Sequence, residues 1–260
     1  MFNEAVDRKN ERMKNTITAF VENSAFGKAA SAHAWKLAQI FDAEVHEVLL
    51  HEKTDLQSVF SIAEEGNTLC FVMPVGSAKK LAFFNAKNAR KWIQQSRVPI
   101  LTIAEVEPKE NDYQQIVLPL DTNCKEKELA LWASYFPSYL QKNCPQISKE
   151  DLLIHIIFNQ YKDDILHKKV QNNIDFVTKM FNNLEVPFKL HPFTKIDNIH
   201  TFGLQFSQII GNCIMLFLMT EHFSLIDLLF GPVEIKILGN KEKIPVLCLN
   251  AREDLFVLCR

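Results

Sequence analysis

Residues 69–103, LCFVMPVGSAKKLAFFNAKNARKWIQQSRVPILTI, and residues 215–249, MLFLMTEHFSLIDLLFGPVEIKILGNKEKIPVLCL, lie over one another without a gap when the chain is slid along itself by 146 positions. Phe71 meets Phe217, Met73 meets Met219, Phe84 meets Phe230, and Val98-Pro99-Ile100-Leu101 meets Ile244-Pro245-Val246-Leu247. A repeat of this kind implies two related units. Each copy reads as strand, loop, helix, strand. CIMLFLM is an apolar run short enough for a strand buried on both faces, a helix follows from about Pro232 to Asn240 with Gly239-Asn240 as its stop, and PVLCL is a second buried strand.

Upstream of the second copy, YQQIVLPLD (113–121) reads as a strand and KEKELALWASYFPSYL as an amphipathic helix. LLIHIIF (152–158) is the next strand, DILHKKVQNNIDFVTKMFNNL a helix, VPFKLHPF a third strand and NIHTFGLQFSQIIGN a third helix. Strands alternating with helices predict right-handed crossovers and a mostly parallel sheet covered on both faces, here of five strands. The first copy opens with TITAFVE (16–22), a helix through AASAHAWKLAQIF and a strand at AEVHEVLLH. Only about 20 residues separate that strand from the repeat, room for one helix near DLQSVFSIAEE but not for a further strand and helix. The first unit is therefore a shortened version lacking an edge strand. The polar EVEPKENDY (105–113) is the linker. The divisions are a polar segment 1–15, a shortened domain 16–105, a linker 106–112, a complete domain 113–252 and a tail 253–260.

Composition narrows the function. Of 260 residues, 47% are apolar and 23% charged, as in ordinary globular proteins, and the net charge of -2 offers no bulk attraction to nucleic acid or anionic lipid. No window reaches the length of a membrane span, and MFNEAVDRKNERMKN is too charged for a secretory signal, so a cytoplasmic location is expected. Six cysteines without C-x-x-C spacing fit reduced, mostly buried thiols, with no zinc or other metal expected. Only seven glycines leave little material for phosphate-cradling loops.

VPILTI, YQQIVLPLD and KIPVLCLNARE, with the repeat, resemble the tandem universal stress protein family over roughly residues 16–252. The resemblance implies two α/β domains of the adenine-nucleotide-alpha-hydrolase-like type, facing each other about a pseudo-two-fold axis. It also implies a parallel sheet in order 3-2-1-4-5 that often pairs with a second domain through strand five. Some members bind ATP at the carboxyl ends of strands one and four, where the strand order reverses, which is also where ligands settle in open α/β sheets generally. Those members carry an Asp ending strand one and a G-x2-G-x9-G-[S/T] loop after strand four.

Matched residue by residue, the second domain keeps the Asp as Asp121 and the third Gly as Gly231, but Leu218, Glu221 and Pro232 occupy the other loop positions. Pro232 removes both a free N–H and the hydroxyl, and Glu221 adds a carboxylate where a triphosphate would lie. Asp121, Thr220 and Gly231 are the remaining cofactor-binding candidates. Asp121 has the chemistry to bond a ribose, although an Asp ending a strand more commonly caps the next helix, and the cap is the reading adopted. In the first domain Glu22 replaces the Asp, Asn85-Ala86 the terminal pair, and Val72 and Val75 the upstream glycines. Gly76-Ser77 with Lys79-Lys80 offers either a small anion nest or a plain turn before a solvated helix, the second being preferred.

No H-E-x-x-H, G-x-S-x-G or G-x-x-x-x-G-K-[ST] pattern occurs among the residues, so no catalytic residue is nominated. His155 lies inside an apolar strand and reads as a satisfied core histidine. Lys87, Arg90, Lys91 and Arg97, with Lys236, Lys241 and Lys243, read as solvated helix faces. FSLIDLLF (223–230) is apolar enough to cap the emptied site or to form a partner surface, and LFVLC of the tail to add an edge strand or simply to pack. The expectation is a non-enzymatic regulatory or protein-interaction module in stress adaptation, with no cofactor. It has an unknown protein partner, a pseudo-dimer of its own two domains that extends in one version to a homodimer, and no membrane or nucleic-acid partner. The alternative is a sensor of ATP or another adenine nucleotide using Asp121 and the loop 219–232.

Overall fold

The computed structural model of the chain describes residues 14–49, 58–61, 67–76, 84–104, 112–219 and 232–250. The strands among them are β1 (Thr16–Val21), β2 (Glu44–Leu49), β3 (Thr68–Pro74), β4 (Ile100–Ile103), β5 (Gln115–Leu120), β6 (Leu153–Asn159), β7 (Phe188–Phe193), β8 (Cys213–Met219) and β9 (Val246–Asn250). The helices are α1 (Ala25–Phe41), α2 (Ala86–Gln95), α3 (Lys127–Asn143), α4 (Asp164–Asn183), α5 (Ile199–Ile210) and α6 (Val233–Leu238). Residues 58–61, inside the helix expected near DLQSVFSIAEE, are helical. The linker short of Asp112, FSLIDLLF and the tail lie outside the described residues.

The described strands form one nine-stranded sheet, β2-β1-β3-β4-β9-β8-β5-β6-β7, so the order 3-2-1-4-5 does not stand as a sheet of its own but appears within it as the run β7-β6-β5-β8-β9 of the second half. All pairs within each half are parallel, and the halves join where β4 pairs antiparallel with β9, Ile100 opposite Cys248 and Thr102 opposite Val246. The joining strands each start just after a proline, Pro99 and Pro245, a place where the missing N–H does no harm to a ladder. In the run from β7 to β9, the first three strands of the second half lie to one side of β8. In the first half β2 ends the sheet, with no strand beyond it in the order.

Both faces are covered, which explains why the strands read as continuous apolar runs. On one face, residues of α1, α3 and α4 pack with Ile17, Ala19, Ile116, Leu118, Ile154, Leu216 and Leu247 in one core cluster. On the other, Phe20, Phe71, Met215, Phe217 and Val246 pack with residues of α2, α5 and α6. The two clusters each span both halves. Tyr113 is fully buried between them in chain order, its ring edge-on to Phe136 of α3 and its hydroxyl hydrogen-bonded to His33 of α1. Asn143 of α3 donates to the Ile40 carbonyl at 2.7 Å, and Asn250 of β9 to the Ser96 carbonyl beyond α2 at 2.7 Å. Arg90, expected on a solvated face, is instead buried against Glu234 of α6, with 3.9 Å between nitrogen and oxygen.

The gapless repeat also needs a correction. Phe71 pairs with Ile100 in the first half and Met215 with Val246 in the second, so Phe71 corresponds to Met215, while Ile100 still corresponds to Val246. The second half carries two more residues between its fourth and fifth strands than the gapless alignment allows. A two-residue slip leaves every strand side chain on its original face, so the apolar pattern does not register it.

Gly203 of α5 sits where a Cβ would lie 2.9 Å from Pro119 Cγ and 3.2 Å from Met215 Sδ. Helix and sheet approach each other there more closely than any side chain permits. Gly203→Val is expected to lower the urea midpoint by the equivalent of about 2 kcal/mol, the usual scale of overpacking; a midpoint at or above the wild type's would mean α5 shifts freely.

Candidate functional site

The site lies at the carboxyl ends of β5 and β8, where strand order reverses. Gln115 donates its N–H to Asn212 on the β8 side, so by alternation Val117 and residue 119 direct theirs the same way. Residue 119 is proline and has no N–H to give. The ladder between β5 and β8 accordingly ends at Val117 opposite Met215, although the strands run on to Leu120 and Met219. Open α/β sheets place their ligand crevice at this switch point, and residues at the starts of α3, α5 and α6 act on one another there.

Asp121 opens the loop after β5, and its polar groups are engaged by the chain itself. Its N–H donates to Glu126 Oε2, its carbonyl accepts from Asn173 Nδ2 of α4 at 2.7 Å, and its Oδ1 accepts the Tyr161 hydroxyl at 2.7 Å. The Asp121 side chain takes the Tyr161 hydroxyl rather than a helix N–H; Asn123 caps the short 3-10 turn Cys124–Glu126 by accepting the Lys125 N–H at 3.1 Å, and α3 follows from Glu126 without a side-chain cap. Asn173 holds that turn too, with a second bond to the Asn123 carbonyl at 3.0 Å. Burial, then the hydrogen bond and charge of Asp121, push the Tyr161 phenol up to about 12, so it stays a donor.

Glu126 bridges the crevice. One carboxylate oxygen takes the Asp121 N–H and the other lies 3.3 Å from His200 Nε2, with the Glu126 side chain only 3% exposed. His200 stands in the first turn of α5, edge-on to Phe217 of β8 at a centroid distance of 5.3 Å. Burial alone would push this imidazole down. The Glu126 hydrogen bond and charge, with the Asp121 and Glu234 carboxylates, outweigh it and hold His200 above its ordinary 6.5. Three carboxylates thus act on one imidazole, and one of them, Glu234, is also paired with Arg90.

Of the residues nominated from sequence, Asp121 is at the crevice, Thr220, Glu221 and Gly231 lie outside the described residues, and Pro232 sits at the N-cap of α6. Glu126, Tyr161, Asn173, His200 and Glu234 were not nominated. Only Glu126, five positions past a strand-end Asp, carried a local signal. In the first half the Glu22 carboxylate accepts the Ser24 hydroxyl at 2.6 Å, and Ser24 in turn caps α1 at Gly27. The corrected register puts Pro74, not Val72, opposite Leu218. Gly76 gives its N–H to the Phe84 carbonyl, and Ser77, Lys79 and Lys80 lie outside the described residues.

Elsewhere, burial pushes the Cys70 thiol up to about 12 and Cys213 to about 11, and raises Cys248 as well. Such thiols are poor nucleophiles and ligands. No group of three His, Cys, Asp or Glu suited to a metal occurs among the described residues, and none of their helices is long and apolar enough to cross a membrane.

No family model matches the chain, and no curated protein does. Among solved structures it is similar to a universal stress protein from Archaeoglobus fulgidus, at 12% identity over 92% of this chain and 87% of that one, with a TM-score of 0.57. It is more distantly similar to a universal stress protein in complex with cAMP, at 8% identity over 54% of this chain and 98% of that one, TM-score 0.38. A universal stress protein family member from Burkholderia pseudomallei is 12% identical over 53% of this chain and 96% of that one, TM-score 0.34. The class these findings define is a fold: an α/β chain with the architecture of the Archaeoglobus universal stress protein.

The sign of the His200 shift makes its pair with Glu126 a pH-dependent support. A folded value above the ordinary 6.5 adds stability that is fully present below pH 6.5 and lost as pH rises through the folded value. Glu126→Gln should bring the His200 NMR titration midpoint down below that of the wild type and reduce stability at pH 6 by about 2 kcal/mol. An unmoved midpoint would mean Glu126 does not govern the imidazole.

Proposed function

We infer that the chain is a non-enzymatic regulatory or protein-interaction module of the universal-stress type, acting in stress adaptation. Its two domains, 16–105 and 113–252, have both given over the nucleotide site to internal contacts. The observation that carries this reading is Asp121: its N–H, its carbonyl and one carboxylate oxygen are each taken by Glu126, Asn173 and Tyr161. A ribose would have to displace the Tyr161 hydroxyl. A triphosphate entering beside it would meet the Glu126 and Glu234 carboxylates in a partly desolvated cleft, where like charges repel strongly.

An interaction role draws support from the helices on the outside of the sheet. Trp35 of α1 is 62% exposed, and Leu131 and Tyr135 of α3 are also exposed. Large aromatic side chains held at a surface are the residue types that anchor protein interfaces. The competing reading is an adenine-nucleotide sensor at Asp121 and the loop 219–232, of which residues 220–231 lie outside the described residues.

Titration with ATP, ADP and AMP in the presence of Mg²⁺, followed by thermal shift, separates the two. We expect no saturable change in Tm at millimolar ligand. A saturable rise that disappears in Asp121→Ala would sink the reading and establish the sensor instead. Partner capture with Trp35→Ala and Tyr135→Ala beside the wild type tests the interaction role: a specific partner is expected whose recovery falls at least about tenfold in the variants, the scale of a modest hot spot.

A further inference from the structure

A second polar cluster lies away from the crevice, on the face of β5, β6 and β7 covered by α5. The register places Gln115 opposite Leu153, His155 opposite Lys189 and Ile157 opposite His191, so Gln115, His155 and His191 form a diagonal row, two residues further along at each strand. His155 Nε2 lies 2.7 Å from Gln115 Oε1, and His155 Nδ1 lies 3.0 Å from His191 Nε2. Phe206 of α5 stands edge-on to both rings, at 5.7 Å from His155 and 5.0 Å from His191. His155 is 5% exposed and His191 half-buried.

The proton positions follow from the hydrogen bonds. Gln115 Nε2 donates to the Asp151 carbonyl, which can only accept, so the amide cannot flip and its Oε1 faces His155. His155 must therefore carry its proton on Nε2. Its Nδ1 is then the acceptor, and His191 must be the Nε2–H tautomer, with Nδ1 left to take a proton. Every bond in the row has one donor and one acceptor only while His155 is neutral.

We propose that this row is an acid-sensing relay that secures the edge strand β7: His191 accepts a first proton on Nδ1 without breaking any bond, whereas a second proton on His155 Nδ1 sets two N–H donors against each other and loosens β7. The groups facing the imidazoles are the neutral Gln115 of β5, the Phe206 ring of α5 and Lys189 of β7, the one cation. Burial first, then the charges of His191 and Lys189, push His155 down to about 4 from its ordinary 6.5. His191 is pushed down as well, by burial and then Lys189. A depressed folded value leaves stability complete above pH 6.5 and removes it as pH falls toward about 4. This is opposite in sign to His200.

Two measurements on the full chain test the relay. Long-range ¹⁵N correlation NMR at pH 7 should show both imidazoles as Nε2–H, and His155 found as Nδ1–H would overturn the proposal. Amide exchange of residues 188–193, corrected for the intrinsic rate, should reveal an opening equilibrium that rises on the order of 20-fold between pH 7 and pH 5, the ratio that linkage gives for 6.5 in the open and about 4 in the closed state. In His191→Gln the side-chain amide can turn to donate or accept, so the conflict and the His191 charge disappear while the burial of His155 remains, and the rise should fall to about half of the wild type's or less. His191 is half-buried on an edge strand, so this variant is expected to fold. A wild-type rise below about threefold, or an equal rise in His191→Gln, would overturn the relay.

Discussion

The antiparallel contact of β4 with β9 is the interaction on which the rest of the structure depends. Each half by itself is a parallel sheet with an open edge at its last strand, and unpaired edges invite pairing with other chains. Joining those two edges removes both at once. It also makes the helices of the halves neighbours: α1 lies beside α3 on one face and α2 beside α6 on the other, so that both core clusters run through the junction. Thr102 Oγ1 donating to the Val246 carbonyl at 3.1 Å and Asn250 reaching the end of α2 are consequences of that pairing. Among the described residues β2 stands at the end of the order farthest from the junction.

The fold was legible because its repeats are apolar and local. Buried parallel strands advertise themselves as short runs such as CIMLFLM, and a helix between two of them needs only an amphipathic stretch of the right length. His155 was legible for the same reason: inside such a run a histidine has to be satisfied by neighbours, and both its nitrogens are. What the pattern could not carry was register. Met215 and Phe217 lie on the same face of β8, so a slip of two residues between the halves changes no apolar position, and only the ladder distinguishes them. The solvation expected of Arg90 failed likewise, because its partner Glu234 comes from the opposite half.

The crevice was half legible. A strand-end Asp at a switch point is visible in one dimension; what engages it is not. Glu126, Tyr161 with Asn173, and His200 arrive from three successive connections, brought together by the order of β5, β6 and β8. No spacing rule links positions 121, 161 and 200. Nor does Asp121 cap the next helix as expected: Asn123 caps the short 3-10 turn before α3, and the Asp121 carboxylate accepts the Tyr161 hydroxyl.

Two buried histidines in one half, His200 and His155, are driven in opposite directions, and the difference describes what the crevice has become. His155 is surrounded by a neutral amide, an aromatic ring and a cation, so burial prevails and the ring stays neutral. The His200 side chain is 14% exposed, and there Glu126, Asp121 and Glu234 reverse the effect of burial. A pocket that receives phosphate must present positive potential from N–H groups and cations. Here the ladder of β5 with β8 stops at Val117, and beyond it Glu126 is shared between the Asp121 N–H and His200, while Glu234 is paired with Arg90. The contrast between the two histidines is therefore set by the carboxylates that face them: Glu126, Asp121 and Glu234 act on His200, and no carboxylate acts on His155.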